Sequence, residues 1–356
     1  MRYTTTIRRY RPSRQLPLSR GPAPERVGRW LLLIAVLIGL MVVVGGITRL
    51  TESGLSIVEW KPVTGVIPPL SEEAWQKEFA AYRQSPEYRL VNRGMTLDEF
   101  KRIYWWEYIH RLLGRLIGLA YLLPLIGFWA RGLIPKGYRG RLVLIFLLGG
   151  VQGLIGWLMV KSGLQSEPEV SHYRLMLHLL FALFLFSFVL WTALDLLHPR
   201  HGSRQRRWRI LGRVFLAVLV VQIALGALMA GLKAGYAFDT WPKMGESWIP
   251  PGLLMLEPAW RNVFDNAVMV HFLHRSTAWL VAGLALLQLV LAWTHDAPGP
   301  TKFAVLVIAL LTALQFTLGV VTVTHGVPIL WAVLHQAGAV LLLAATLHHL
   351  HMHRRT

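Results

Sequence analysis

A chain of 356 residues with 54% apolar residues, 15% charged residues and a mean hydropathy of +0.46 is too apolar for a soluble enzyme or a disordered segment. Its 37 Lys and Arg against 18 Asp and Glu give a net charge of +19, clustered so that long apolar runs lie between the charges. It has no cysteine, which excludes disulfides, thiolate zinc sites, iron–sulfur clusters and covalent C-x-x-C-H haem attachment.

In chain order, residues 1–29 hold eight Arg and one acidic residue, Glu25, with no apolar stretch before Trp30. This reads as an inner-side basic anchor and not as a cleavable secretory signal; an organelle transit peptide would share the composition. Eight apolar runs follow, near 30–49, 105–130, 141–161, 172–197, 209–232, 267–293, 303–324 and 328–350. They match the roughly 20 residues that cross a bilayer as helix and are too long for barrel strands. Two long connections, 50–104 and 233–266, fall on one side. If the N-terminus is inside, the inner segments hold 21 basic and 3 acidic residues, and the rest of the chain 16 and 15. The basic excess therefore describes topology and contact with an anionic lipid bilayer, not affinity for nucleic acid.

The chain also repeats itself. Gly54-Leu55-Ser56-Ile57-Val58-Glu59-Trp60-Lys61-Pro62 is echoed by Gly235-Tyr236-Ala237-Phe238-Asp239-Thr240-Trp241-Pro242, each followed by a Pro pair, Pro68-Pro69 or Pro250-Pro251. Glu107-x-x-His110-Arg111 matches His271-x-x-His274-Arg275, Gln152-x-x-x-Gly156 matches Gln315-x-x-x-Gly319, and His178 matches His335. Gln222-x-x-x-Gly226 repeats the Gln–Gly pattern in the fifth span; such pairs read as close helix contacts. The expected fold is an all-α integral membrane protein of eight transmembrane helices. They form two tandem, parallel four-helix bundles related by a pseudo-twofold axis along the membrane normal. The first repeat takes 30–200, the second 201–350, and 351–356 forms a basic inner-side tail.

Ionisable groups inside a membrane are costly and point to function. His110, His178, His274 and His335 stand at equivalent places near the outer face, two per repeat. Two imidazoles facing across a four-helix core can hold a haem iron axially; the alternative is a structural hydrogen bond at each. A zinc or copper site fits less well, with only two placed His per repeat. Of the other His, His172 and His325 lie at outer helix ends, and His198 and His201 in an inner loop. His348, His349, His351 and His353 crowd the tail, which reads as a solvated basic end. Glu107 replaces His271 of the second repeat and shares a helix face with His110. It reads either as an acid or base beside whatever His110 binds, or as a boundary carboxylate paired with Arg111 or Arg102.

The block Gly45-Gly46-Ile47-Thr48-Arg49-Leu50-Thr51-Glu52-Ser53-Gly54-Leu55-Ser56, the stretch Glu59-Trp60-Lys61-Pro62 and Trp106-Glu107-x-x-His110-Arg111-x-x-Gly114-Arg115 resemble the haem A synthase family, closest to its proteobacterial and mitochondrial branch. The resemblance runs from about Gly45 to His335. It implies an enzyme that oxidises the C8 methyl group of haem O to a formyl group, giving haem A for cytochrome oxidase. It further implies a haem b cofactor on His274 and His335, the substrate haem on His110 and His178, and Glu107 as the catalytic carboxylate. Two successive hydroxylations, the gem-diol then losing water, are the expected chemistry. Arg111, Arg275 or Arg49 would pair haem propionates, or serve as ordinary boundary cations. The partners implied are haem O, an electron donor, contact with haem O synthase, and further copies of the chain as a homo-oligomer. A bacterial inner membrane with both termini cytoplasmic is the expected location, ahead of the mitochondrial inner membrane. Two rivals share the histidines: a bis-His membrane cytochrome b confined to electron transfer, and a haem chaperone or transporter.

Overall fold

The computed structural model describes residues 22–60, 64–165, 168–198 and 205–354. Most of the basic N-terminal segment, Lys61 and Pro62 of the first outer motif, His201 and the last two residues of the tail lie outside them. Among the described residues eight long helices are apolar enough to cross a bilayer. They are α1 (Pro24–Leu50), α2 (Leu97–Ala130), α3 (Arg139–Gly163), α4 (His172–Leu197), α5 (Arg206–Gly231), α6 (Ala267–Thr294), α7 (Gly299–Thr324) and α8 (Ile329–Met352). There is no strand among the described residues. The protein is thus a multi-pass, all-helical membrane protein.

Local chemistry sets several helix ends. Thr96 and Glu99 form a capping box, so α2 starts at Leu97 rather than near residue 105. That extra length stands outside the apolar run and packs on the first outer loop, itself folded into helices at Glu72–Tyr82 and Pro86–Leu90. Trp75, Phe79, Tyr82, Phe100, Tyr104 and Tyr108 form a buried aromatic cluster there. The Asn266 side chain accepts from the Val268 and Met269 amides and caps α6.

In the first half α1 packs along α4 and on α2, and α3 packs on α4; in the second, α5 packs on α6 and α8, while α7 packs on both α6 and α8. The halves meet through α4 with α5, α1 with α8, and α4 with α8. Leu31, Ile34, Phe186, Val189, Phe215 and Leu342 fill the core between them. At the outer surface Arg49 Nη2 donates to the Ala230 carbonyl at 2.8 Å, across a spacing of 181 residues. Glu52 and Lys233 share that spacing, both with φ of 52°, and pair at 2.6 Å; Glu169 meets the same ammonium at 2.8 Å. Opposite charges at equivalent positions thus join the two halves.

The His-rich end departs from expectation. It is not a solvated tail: His349, His351 and His353 are 0%, 1% and 1% exposed. The cause is that α8 continues to Met352 and covers the start of α5, where a Cβ on Gly212 would lie 3.1 Å from the His349 ring. His351 is fixed by Asp195 of α4 at 3.0 Å, and Asp195 also receives Arg141 of α3 at 2.8 Å. No group of three or more metal-ligating side chains occurs among the described residues.

Candidate functional site

Each of the four intramembrane histidines abuts a glycine of the preceding helix. A Cβ built on Gly45 would lie 3.2 Å from His110 Nε2, and one on Gly156 2.9 Å from His178 Cε1. In the second half a Cβ on Gly226 would lie 3.1 Å from His274 Cε1, and one on Gly319 2.9 Å from His335 Cε1. Ordinary carbon contacts are about 3.5–4.0 Å, so a Cβ at Gly156 or Gly319 would displace its ring, and one at Gly45 or Gly226 would need the ring to give by a few tenths of an ångström. The Gln–Gly pairs, expected to serve helix packing, are thus part of the histidine surroundings. Gln152 Nε2 donates to the His178 carbonyl at 3.1 Å, and Gln315 Nε2 donates to the His335 carbonyl at 2.7 Å. Gln222 Nε2 lies 3.4 Å from His274 Nε2. Helix α1 carries Met41 at this register position, and its methyl group would lie 3.3 Å from a Cβ on Gly114.

The second pair fits an axially ligated metal in two respects. The His274 and His335 ring centres are 6.4 Å apart with planes at 80°. Imidazole–metal bonds run about 2.0–2.1 Å, so two rings on opposite sides of one metal have centres about 6 Å apart. His335 Nδ1 lies 3.0 Å from the Gln315 carbonyl and must donate to it, which leaves the Nε2 lone pair for a metal. The side-chain Oε1 atoms of Gln152, Gln222 and Gln315 and Nδ1 of His274 are buried without a hydrogen-bond partner. Unpartnered buried polar atoms are rare in finished cores, and these four lie beside His178, His274 and His335.

Glu107 is 2% exposed and fully bonded. Ser56 Oγ and the Ile57 amide each donate to its Oε2 at 2.7 Å, and Arg111 Nη2 donates to its Oε1 at 2.6 Å. The pairing with Arg111 is the boundary alternative raised by the spacing, but the partners from the first outer loop were not foreseen. Arg111 also donates to the Ile57 and Glu59 carbonyls and lies 5.7 Å over the Trp60 ring. Arg275 does the equivalent, donating to the Pro242 and Lys243 carbonyls and lying 5.1 Å over Trp241. Both arginines therefore clamp their loops above the histidines. His271, standing where the first half has Glu107, is 0% exposed and packs edge-on to Phe238 at 5.9 Å.

The other candidates fall elsewhere. His172 meets Asp265 at 3.1 Å in the outer contact between the halves, and His325 bonds within its own helix end. A carboxyl that the sequence reading passed over, Glu87, is buried in the first outer loop and accepts from Tyr82 Oη at 3.0 Å. Burial pushes its pKa up to about 7.

Eight membrane helices carrying two histidine pairs, each ring seated on a glycine, define a membrane protein with a repeated intramembrane imidazole site. A family model for cytochrome oxidase assembly proteins matches residues 28–347. A heme A synthase of Rhizorhabdus wittichii is 49% identical over 333 residues, covering 93% of this chain and 95% of its own. One from Parvibaculum lavamentivorans is 46% identical over 327 residues, covering 90% and 92%. Another, from Nitrosospira multiformis, is 45% identical over 322 residues, covering 89% and 90%. The chain belongs to this cytochrome oxidase assembly protein family.

Proposed function

We propose that this chain works as a haem A synthase, oxidising the C8 methyl group of haem O to a formyl group within the membrane. Its relatives carry that name, and one observation supports it above others: four half-buried imidazoles at repeat-equivalent positions within the apolar spans, each against a glycine. His274 and His335 hold a resident haem b, for which their ring separation and the His335 tautomer are suited. His110 and His178 receive the substrate haem. When bound, haem b supplies one-electron chemistry at its iron, fed by an external donor.

The protein's own residues position and exclude. The glycines fix the depth and direction of the rings. Arg111 and Arg275 hold the outer loops down over the two sites and keep water from them. Glu107 lies on the His110 face of α2 and accepts protons on a carboxylate already hydrogen-bonded to the Ser56 hydroxyl. Location in a bacterial inner membrane with cytoplasmic termini, contact with haem O synthase and association into homo-oligomers complete the reading.

The test is chromatography with mass detection of haems extracted from membranes that make haem O, with and without the protein. Haem A or its hydroxymethyl precursor should appear only with the protein. Haem b beside unchanged haem O, in the presence of a competent electron donor, would overturn the assignment in favour of a plain cytochrome b.

A further inference from the structure

The two halves differ where their second and third helices face each other. In the second half α6 and α7 pack closely, but the matching α2 and α3 barely touch. The side chains give the reason. Trp241, Trp279 and Phe316 form an aromatic plug, with ring centres 5.7 Å (Trp241–Trp279), 5.4 Å (Trp241–Phe316) and 4.8 Å (Trp279–Phe316) apart. Trp60 stands at the Trp241 position of the first half, but Trp279 is replaced by Arg115 and Phe316 by Gly153. A Cβ on Gly153 would meet nothing within 4 Å. The plug is missing from one half only.

One helical turn outward of Arg115 and Gly153 lies a cavity of about 190 Å³, lined by the apolar Val58, Trp60, Trp157, Val160 and Leu164 and by the cations Arg111 and Lys161. Two cations and two indoles frame it: Lys161 lies 5.1 Å over Trp157, Arg111 lies 5.7 Å over Trp60, and the two indoles are 6.2 Å apart. The cavity adjoins the imidazole level, since Arg111 follows His110 and Trp157 follows Gly156, which seats His178. Below it the helices converge at Tyr121, which donates to the Leu142 carbonyl at 2.9 Å and stacks on Phe146. Arg111 and Tyr121 are about 15 Å apart along α2 at the helical rise. The opening is thus a wedge whose outer cavity has apolar walls with Arg111 and Lys161 at the rim, and Arg115 stands one turn further in along α2.

We propose that this α2–α3 wedge is the side entrance through which the substrate haem passes from the bilayer to His110 and His178, and that Lys161 with Arg111 receives its propionate carboxylates at the rim. The proposal rests on the reading of haem O as substrate. Haem O carries two carboxylates on one edge and an isoprenoid chain on the opposite one. A lateral wedge lets the macrocycle enter while that chain stays in lipid, and the paired cations set which edge points outward. The plugged second half keeps its group, and the open half exchanges one.

The test grafts the plug onto the first half as Gly153→Phe with Arg115→Trp, in the full chain in lipid nanodiscs. Haem O is added, and its uptake is followed by absorbance separately from haem A formation. The expected result is retained haem b with uptake of haem O slowed more than tenfold. Wild-type uptake by a double variant that retains haem b would overturn the entrance. Lys161→Ala provides a test that does not depend on the graft folding. It should raise the half-saturating haem O concentration about tenfold, the usual scale of one charge-assisted contact, and leave binding of haem O dimethyl ester unchanged. Equal haem O binding by Lys161→Ala and wild type would overturn the carboxylate role. Wild-type protein that takes up haem O through the wedge and oxidises none of it would overturn the enzymatic reading alone.

Discussion

Replacing Gly319 by alanine tests the histidine seat most directly. The added Cβ would stand 2.9 Å from His335 Cε1, 3.5 Å from Nδ1 and 3.6 Å from Nε2. Relief to an ordinary contact of about 3.5–4.0 Å moves the ring by roughly 0.6–1 Å. The ring has little freedom to comply, because Nδ1 is tied to the Gln315 carbonyl at 3.0 Å and Gln315 Nε2 holds the His335 carbonyl at 2.7 Å. Metal–ligand distances tolerate about 0.2 Å, so the displaced Nε2 no longer ligates. Overpacking of this kind costs about 1–3 kcal/mol, which weakens the site without unfolding eight helices. Gly283→Ala is the control, since a Cβ there meets nothing within 4 Å; it should gain up to about 1 kcal/mol from helix propensity. The assay is haem b per protein in purified membranes, with the low-spin absorption spectrum as the sign of two axial imidazoles. Gly319→Ala should lose most of its haem b and that spectrum, and Gly283→Ala should keep both. Wild-type occupancy and an unchanged spectrum in Gly319→Ala would refute the reasoning.

Two other perturbations follow from the outer loop. Glu107→Ala strands the Ser56 hydroxyl, the Ile57 amide and one face of Arg111, and breaking such a buried pair costs about 3–5 kcal/mol. The loop over His110 should then exchange its amide hydrogens faster and haem A formation should stop with haem b retained; Glu107→Gln, which keeps an acceptor oxygen, should restore much of the loop protection but not the activity. Unchanged exchange across residues 52–60 in Glu107→Ala would count against the clamp. Glu87 supplies a pH dependence: burial raises its folded pKa to about 7, above the ordinary value of 4.5, with the Tyr82 hydrogen bond and Lys233 opposing the rise and Glu107 and Glu52 adding to it. Between those values the folded state holds a proton that the unfolded state has lost, so stability falls as pH rises from about 4.5 to 7. The full shift is worth about 3 kcal/mol, and Glu87→Gln should flatten the melting temperature of the first outer loop over that range; an equal slope in both proteins would remove Glu87 from the account.

The membrane class, the number of spans and the internal repeat are all legible in the linear sequence. Spans follow from the hydropathy of continuous runs, and a repeat follows from equal spacing of Gln, Gly and His; both are linear quantities along the chain. It also located the four histidines, because an imidazole in an apolar run stands out against its neighbours.

Contacts between distant segments needed the tertiary structure. Nothing in the spacing shows that Gly45, Gly156, Gly226 and Gly319 lie against imidazoles of the following helices, although the recurring Gln-x-x-x-Gly was the available signal. The partners of Glu107 at Ser56 and Ile57 come from a loop about 50 residues away, beyond the reach of helical periodicity. The buried end of α8 read as a basic tail because His counts as polar in sequence, whereas Asp195 on α4 gives His351 a partner only once the helices pack. The missing plug between α2 and α3 rests on three aromatic positions from separate segments. A loss at Arg115 and Gly153 acquires meaning only when folding brings Trp241, Trp279 and Phe316 together in the other half.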